Sequence, residues 1–203
     1  MTENRPSTAK ADLRRELLAA RRALSAETLR TAARALSRSA LELPELSSAH
    51  TVAAYVSIGS EPGTRELLDA LRAAGTRVLL PVLLPDNDLD WAAYEGPESL
   101  AEAAHPGKMR LLEPSGPRLG PDAVTDADAV LLPGLAVDRR GMRLGRGGGS
   151  YDRVLERLER AGAHPALVVL LYDDEVVARV PEEPHDHPVR AVATPSGVLR
   201  FSA

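Results

Sequence analysis

The chain of 203 residues contains no cysteine. Disulfides, thiolate nucleophiles and cysteine-ligated zinc are therefore excluded. Aromatic residues are also scarce, at 3%. The interior must pack on aliphatic side chains, and no run of rings stands ready to stack nucleic-acid bases. No apolar run approaches the ~20 residues that span a bilayer. The opening M-T-E-N-R-P-S-T lacks the apolar segment of a secretory signal, so the cytoplasm is the expected location. A net charge of −4 gives no general attraction to nucleic acid or to an anionic membrane. Any anionic ligand must meet positive charge that is gathered locally. Lysine is rare too: Lys10 and Lys108 are the two among 25 basic residues. In a chain so biased to arginine they mark places where a compact ammonium serves.

What is present reads as one α/β domain over residues 1–203, with a helical N-terminal arm over 1–43. Hydrophobic residues make up 44%, enough for a sizeable core. Residues 8–22 carry Leu13 and Leu17 at helical spacing. A second helix starts at a Ser25 cap and ends at Pro44. The run from His50 to Ile58 reads as a core strand. Thr64 then caps a helix that Gly75 closes, and Arg77 onward is the next strand. Strand, helix, strand with short connections is a βαβ unit, so a parallel sheet is expected. Residues 95–127 hold many Gly and Pro and give weak periodicity, which reads either as a long functional loop or as a stretch with an element that leaves no pattern. Buried strands follow at 128–135 and 166–172, and short terminal strands at 191–194 and 197–201.

The richest stretch runs from Asp138 to Leu158: D-R-R-G-M-R-L-G-R-G-G-G-S-Y-D-R-V-L-E-R-L. Gly141, Gly145, Gly147, Gly148 and Gly149 fall within nine residues. Such a run takes positive φ readily and can close its N–H groups around a ligand. Tyr151, Val154, Leu155 and Leu158 then recur at helical spacing, with Ser150 as the N-cap. A glycine loop feeding a helix start suits phosphate. The loop matches neither a Walker pattern, for want of a lysine, nor G-x-G-x-x-G. Arg143 and Arg146 stand in their place as bidentate phosphate forks.

Lys10 and Arg14 lie four apart on one helical face and form a candidate two-cation clamp. Glu61 lies just past a strand end, where parallel sheets bind ligands. Asp152 and Asp186 are candidate carboxylates for a phosphate-bound Mg²⁺. The cluster Glu182, Glu183, His185, Asp186, His187 lacks a third histidine at ligand spacing and is bracketed by Pro184 and Pro188, so zinc is not expected.

Together these segments resemble the 5-formyltetrahydrofolate cyclo-ligase family, also called 5,10-methenyltetrahydrofolate synthetase. The family's P-G-x-A-F-D and R-L-G-x-G-x-G-Y-Y-D segments match Pro133–Asp138 and Arg143–Asp152. Lys10 and Arg14 match its K-x-x-x-R, and Glu61 with Thr64 its Glu-x-x-Thr. Glu113-Pro114 matches its E-P pair, and His185-Asp186 its H-D pair. Ser150 replaces the first Tyr, Val137 the Phe, Arg110 a Gly and Arg190 an Asp.

The resemblance implies a three-layer α/β/α fold with a mainly parallel central sheet. It implies ATP bound by Lys10, Arg14, Arg143, Leu144, Gly145, Arg146, Gly147, Gly148, Gly149, Ser150 and Tyr151. It implies folate contacts from Val56, Glu61 and residues Arg146 to Ser150, Mg²⁺ on Asp152 and Asp186, and Arg146 and Lys10 as catalytic cations. The implied reaction closes 5-formyltetrahydrofolate to 5,10-methenyltetrahydrofolate and releases ADP and phosphate. No nucleic acid or membrane partner is expected, and a monomer or weak dimer is. A non-catalytic binding relative on the same fold and a small-molecule kinase are the rival readings.

Overall fold

The computed structural model describes residues 5–184 and 186–202. His185, half of the H-D pair, lies outside the described residues. The chain begins with three helices, α1 (Arg5–Arg22), α2 (Ala26–Ala40) and α3 (Pro44–Ser47). Next come β1 (Thr51–Ala53), α4 (Arg65–Ala73), β2 (Arg77–Leu83), β3 (Leu89–Ala93), β4 (Leu100–Ala103) and β5 (Leu111–Pro114). Then follow β6 (Ala129–Leu132), β7 (Ala136–Asp138), β8 (Arg143–Leu144) and α5 (Ser150–Ala161). The chain closes with β9 (Ala166–Leu170), β10 (Val176–Val177), β11 (Ala191–Thr194) and β12 (Gly197–Arg200).

Seven strands form the central sheet in the order β12-β11-β9-β6-β1-β2-β3. The five inner strands run parallel, and β12 and β3 are antiparallel edges. The inner strands are buried over most of their length because each face has its own cover. Along β6, Ala129 and Leu131 pack with Leu36, Leu67, Leu68 and Leu71 of α2 and α4. Their neighbours Val130 and Leu132 pack on the other face with Val154 and Leu158 of α5. The period-two alternation of a strand thus builds two hydrophobic layers from one run of aliphatic residues. The expected mainly parallel α/β sheet, flanked by helices, is what forms.

Several local expectations give way. Ser25 does cap α2, its Oγ accepting from Thr28 N at 3.1 Å. Pro44 does not end that helix; α2 stops at Ala40, and Pro44 opens α3, where its missing N–H costs nothing. Thr64 occupies the N-cap position of α4 without capping it. Its hydroxyl instead donates to Tyr55 O at 2.8 Å and accepts from Ser57 N at 2.9 Å, pinning the segment after β1. Residues 95–127 are not one loop, since β4 and β5 pair as an antiparallel hairpin within them. Nor does β6 run straight into the glycine loop. The β7–β8 hairpin intervenes, and with β10 it forms a separate three-stranded sheet. Leu17 of α1 packs there with Leu135, Leu144 and Val180.

Candidate active site

The parallel strands end together, and their trailing segments wall one cavity of about 570 Å³. Val56 and Glu61 follow β1, Leu83 ends β2, and Pro133 follows β6. Lys10 and Arg14 reach it from α1, and the whole run from Arg143 to Asp152 lines it, as does Asp186. The structure therefore brings the residues that the resemblance assigns to ATP, folate and Mg²⁺ to one cavity, from sequence positions far apart.

The glycine loop is shaped by backbone geometry. Gly147 and Gly149 adopt φ of 88° and 80°, left-handed values that a side chain resists. Gly149, not Ser150, is the N-cap of α5; Ser150 is already helical. A left-handed cap needs a glycine, and α5 starts without a side-chain capping bond. Among the described residues, no backbone N–H from Gly145 to Asp152 donates to a protein acceptor. Unpaired amides at the positive end of a helix dipole form a receptor for an anion.

Three guanidinium groups frame these amides. Arg14 Nε donates to Gly145 O at 2.8 Å, which sets its guanidinium against Gly147. Arg143, its side chain 10% exposed, donates to Pro133 O at 2.9 Å, with Asp152 Oδ1 3.8 Å away. Burial pushes its pKa down, yet an arginine keeps its charge. Arg146 is 41% exposed and bonds Glu61 Oε1 at 2.8 Å. Glu61 in turn accepts from Ile58 N at 2.8 Å, so its carboxylate and Arg146 orient one another.

Lys10 is placed differently from a free phosphate clamp. Its ammonium meets Glu183 and Asp186, each at 2.7 Å. Burial opposes its charge, and the bonds from Asp186 and Glu183 outweigh that cost, so its pKa lies above the ordinary value. Asp186 Oδ2 also accepts from Glu183 N at 2.7 Å. In sequence Glu183 belongs to an acidic cluster, and nothing local ties it to a lysine 173 positions away. Arg190, the other departure near this cluster, pairs instead with Glu45 at 3.9 Å and does not line the cavity.

Tyr151 completes the wall. Its hydroxyl is buried without a hydrogen-bond partner among the described residues. Burial, reinforced by the Glu61 charge, raises its pKa, so the group stays a neutral phenol. A buried hydroxyl with nothing to bond is rare in a folded protein, and this one lines a cavity.

No group of three or more His, Asp or Glu able to hold a metal occurs among the described residues. A Mg²⁺ that arrives on a polyphosphate needs only one or two protein carboxylates. Asp152, 58% exposed and not closely bonded, suits that role. Asp186 already has a cation, Lys10.

No helix among the described residues is long and apolar enough to cross a membrane. The family model of 5-formyltetrahydrofolate cyclo-ligases matches residues 6–195. The cyclo-ligase of Mycolicibacterium smegmatis is 44% identical over 153 residues, 73% of this chain and 75% of that protein. That of Escherichia coli K12 is 33% identical over 183 residues, covering 89% and 97%. The solution structure of Aquifex aeolicus 5,10-methenyltetrahydrofolate synthetase aligns with a TM-score of 0.78 at 28% identity, over 96% of this chain and 93% of that one. The chain belongs to the 5-formyltetrahydrofolate cyclo-ligase family.

Proposed function

We propose that this chain uses ATP to close 5-formyltetrahydrofolate to 5,10-methenyltetrahydrofolate in the cytoplasm. The observation that carries the reading is the stretch of unpaired amides from Gly145 to Asp152, framed by Arg14, Arg143 and Arg146 in one cavity. The formyl oxygen of an amide is a poor leaving group. Phosphorylation makes it a good one: a bond forms from the γ-phosphorus to that oxygen, and the bond to ADP breaks. N10 then attacks the formyl carbon. The carbon–oxygen bond breaks with its electron pair on inorganic phosphate, and N10 loses its proton to solvent.

No step needs a protein nucleophile, which suits a chain without cysteine. The work of the residues is alignment and charge neutralisation. The amides and Arg143 hold the phosphates. Arg146 spends one N–H on Glu61 and keeps the rest of its fork for the transferring phosphoryl group. Lys10 ties Glu183 and Asp186 to α1 and offsets part of their negative charge beside the phosphates. Glu61 retains lone pairs for the pterin N–H edge, beside Val56. Asp152 would hold a Mg²⁺ that arrives on the polyphosphate, and the ion would supply charge neutralisation there.

The test is to mix purified protein, Mg-ATP and 5-formyltetrahydrofolate, following the near-ultraviolet band of the methenyl product and free phosphate together. Both should rise in equal amounts. ATP binding with no band would make the chain a binding relative, and a lasting phosphorylated product would make it a kinase.

A further inference from the structure

Lys108 and Met109 remain outside the chemistry just described, although both line the cavity. They sit in the turn that joins β4 to β5. The chain's other lysine, Lys10, has its charge met by two carboxylates. Lys108 has no ion pair among the described residues. Its ammonium donates to Asn87 Oδ1, a neutral amide in the turn between β2 and β3. A full positive charge is thus held, exposed, at the cavity rim with no carboxylate paired to it among the described residues.

Its position follows from strand order. Glu61 and Arg146 lie past β1, Leu83 ends β2, and Asn87 stands one strand further towards the β3 edge. Lys10 lies by α1 and the 183–186 segment. The cavity therefore carries cationic side chains at both ends, Arg14 and Arg143 beside the glycine loop and Lys108 at the β4–β5 tip. Apolar wall from Leu83, Leu111 and Leu112 lies beside Lys108. Met109, which also lines the cavity, is 57% exposed. An exposed, flexible thioether at a cavity mouth is a surface suited to an aromatic ring.

We propose that this hairpin tip recognises the glutamyl end of the folate, Lys108 pairing with its carboxylates and Met109 covering the aminobenzoyl ring. The assignment rests on the reaction proposed above, which places the formyl group near the glycine loop and so extends the rest of the molecule away from it. The ligand's order is then reactive pterin, flat apolar ring, anion, which is the order of the wall. A compact ammonium on a flexible stem can follow either of two rotating carboxylates, whereas a guanidinium fork favours one fixed geometry.

The test compares wild type with Lys108→Met on 5-formyltetrahydrofolate and on its dimethyl ester, which keeps the shape and lacks both charges. Lys108→Met should raise KM for the acid about 5- to 20-fold, as expected for a charged bond at a partly wet rim. It should leave kcat within about twofold and KM for ATP unchanged. On the ester the two proteins should behave alike, and Lys108→Arg should recover much of the loss. A rise in KM for ATP, an equal loss on acid and ester, or no change at all would overturn the assignment. Should wild type turn over normally while these ratios stay flat, only the rim assignment falls. Should wild type form no methenyl product, the reaction itself is misread and the rim assignment falls with it.

Discussion

Arg146 and Glu61 hold each other at 2.8 Å, one largely wet and the other nearly buried, so the pair orients the arginine rather than hiding it. An arginine placed this way can neutralise charge that grows only in the transition state. Arg146→Ala should therefore lower kcat by about 10²-fold or more, in line with the loss of other transition-state donors. Single-turnover rates with saturating substrates would measure it, and unchanged turnover would remove Arg146 from the mechanism. Lys10 shows why residue type alone misleads. Its spacing to Arg14 reads as a phosphate clamp, but its partners Glu183 and Asp186 arrive from 173 and 176 positions away. No local pattern encodes that. The glycines, in contrast, are legible because what they encode is local: an absent side chain permits a backbone angle, wherever the rest of the chain goes.

At the scale of elements, the glycine loop depends on left-handed backbone and the β7–β8 hairpin before it on a buried carboxylate. Gly147 has φ of 88°, and a Cβ there would lie 3.4 Å from Arg14 Cζ. Gly148 has neither constraint. Gly147→Ala should cost about 1–2 kcal/mol of stability and lower kcat/KM about 10- to 100-fold by shifting Arg14 and the amides. Gly148→Ala should melt like wild type; equal melting of the two variants would refute the backbone argument. The hairpin turns on Asp138, whose carboxylate is fully buried. It accepts from Val180 N at 3.0 Å, Arg140 N at 2.9 Å and Arg140 Nη2 at 2.7 Å. Burial alone would raise its pKa, and these donors outweigh burial and lower it. The stabilisation is thus complete above the unfolded value near ~3.9 and is lost as pH falls through the depressed folded value. Asp138→Asn should cost about 2–4 kcal/mol near neutrality, and its deficit should shrink in denaturant melts taken below pH ~3. A deficit that does not change with pH would contradict the linkage. The hairpins were the part of the fold hidden from sequence. β7 and β8 are three and two residues long, too short to show a period. β4 exposes both central residues, so nothing alternates. The long aliphatic strands and the helices announce themselves because their periods repeat.

For the whole molecule the question is how α1, first in the chain, stays fixed over strands laid down far later. Leu17 supplies apolar packing, but direction comes from Arg21. Its guanidinium is 2% exposed and bonds Glu175 at 2.6 and 2.9 Å, and it also donates to Gly134 O at 2.8 Å. It lies 5.7 Å over the Tyr172 ring, whose hydroxyl donates to Ser60 O at 3.0 Å. One side chain thus ties α1 to the segments following β6 and β9, and through Tyr172 to the turn after β1. These segments lead into the cavity wall that Lys10 and Arg14 complete from the same helix. Glu175 lies 154 positions from Arg21, which is why neither stood out in sequence. A buried pair is costly to halve, because the remaining charge keeps its desolvation cost and loses its partner. Arg21→Met should therefore lose about 3–5 kcal/mol in denaturant melts. Adding Glu175→Leu should regain part of that loss, because the orphaned carboxylate goes. If the pair positions α1 as argued, the double variant should fold yet show a raised KM for ATP, since Arg14 and Lys10 hang from that helix. A double variant with wild-type KM would reduce Arg21 to a contributor to stability alone.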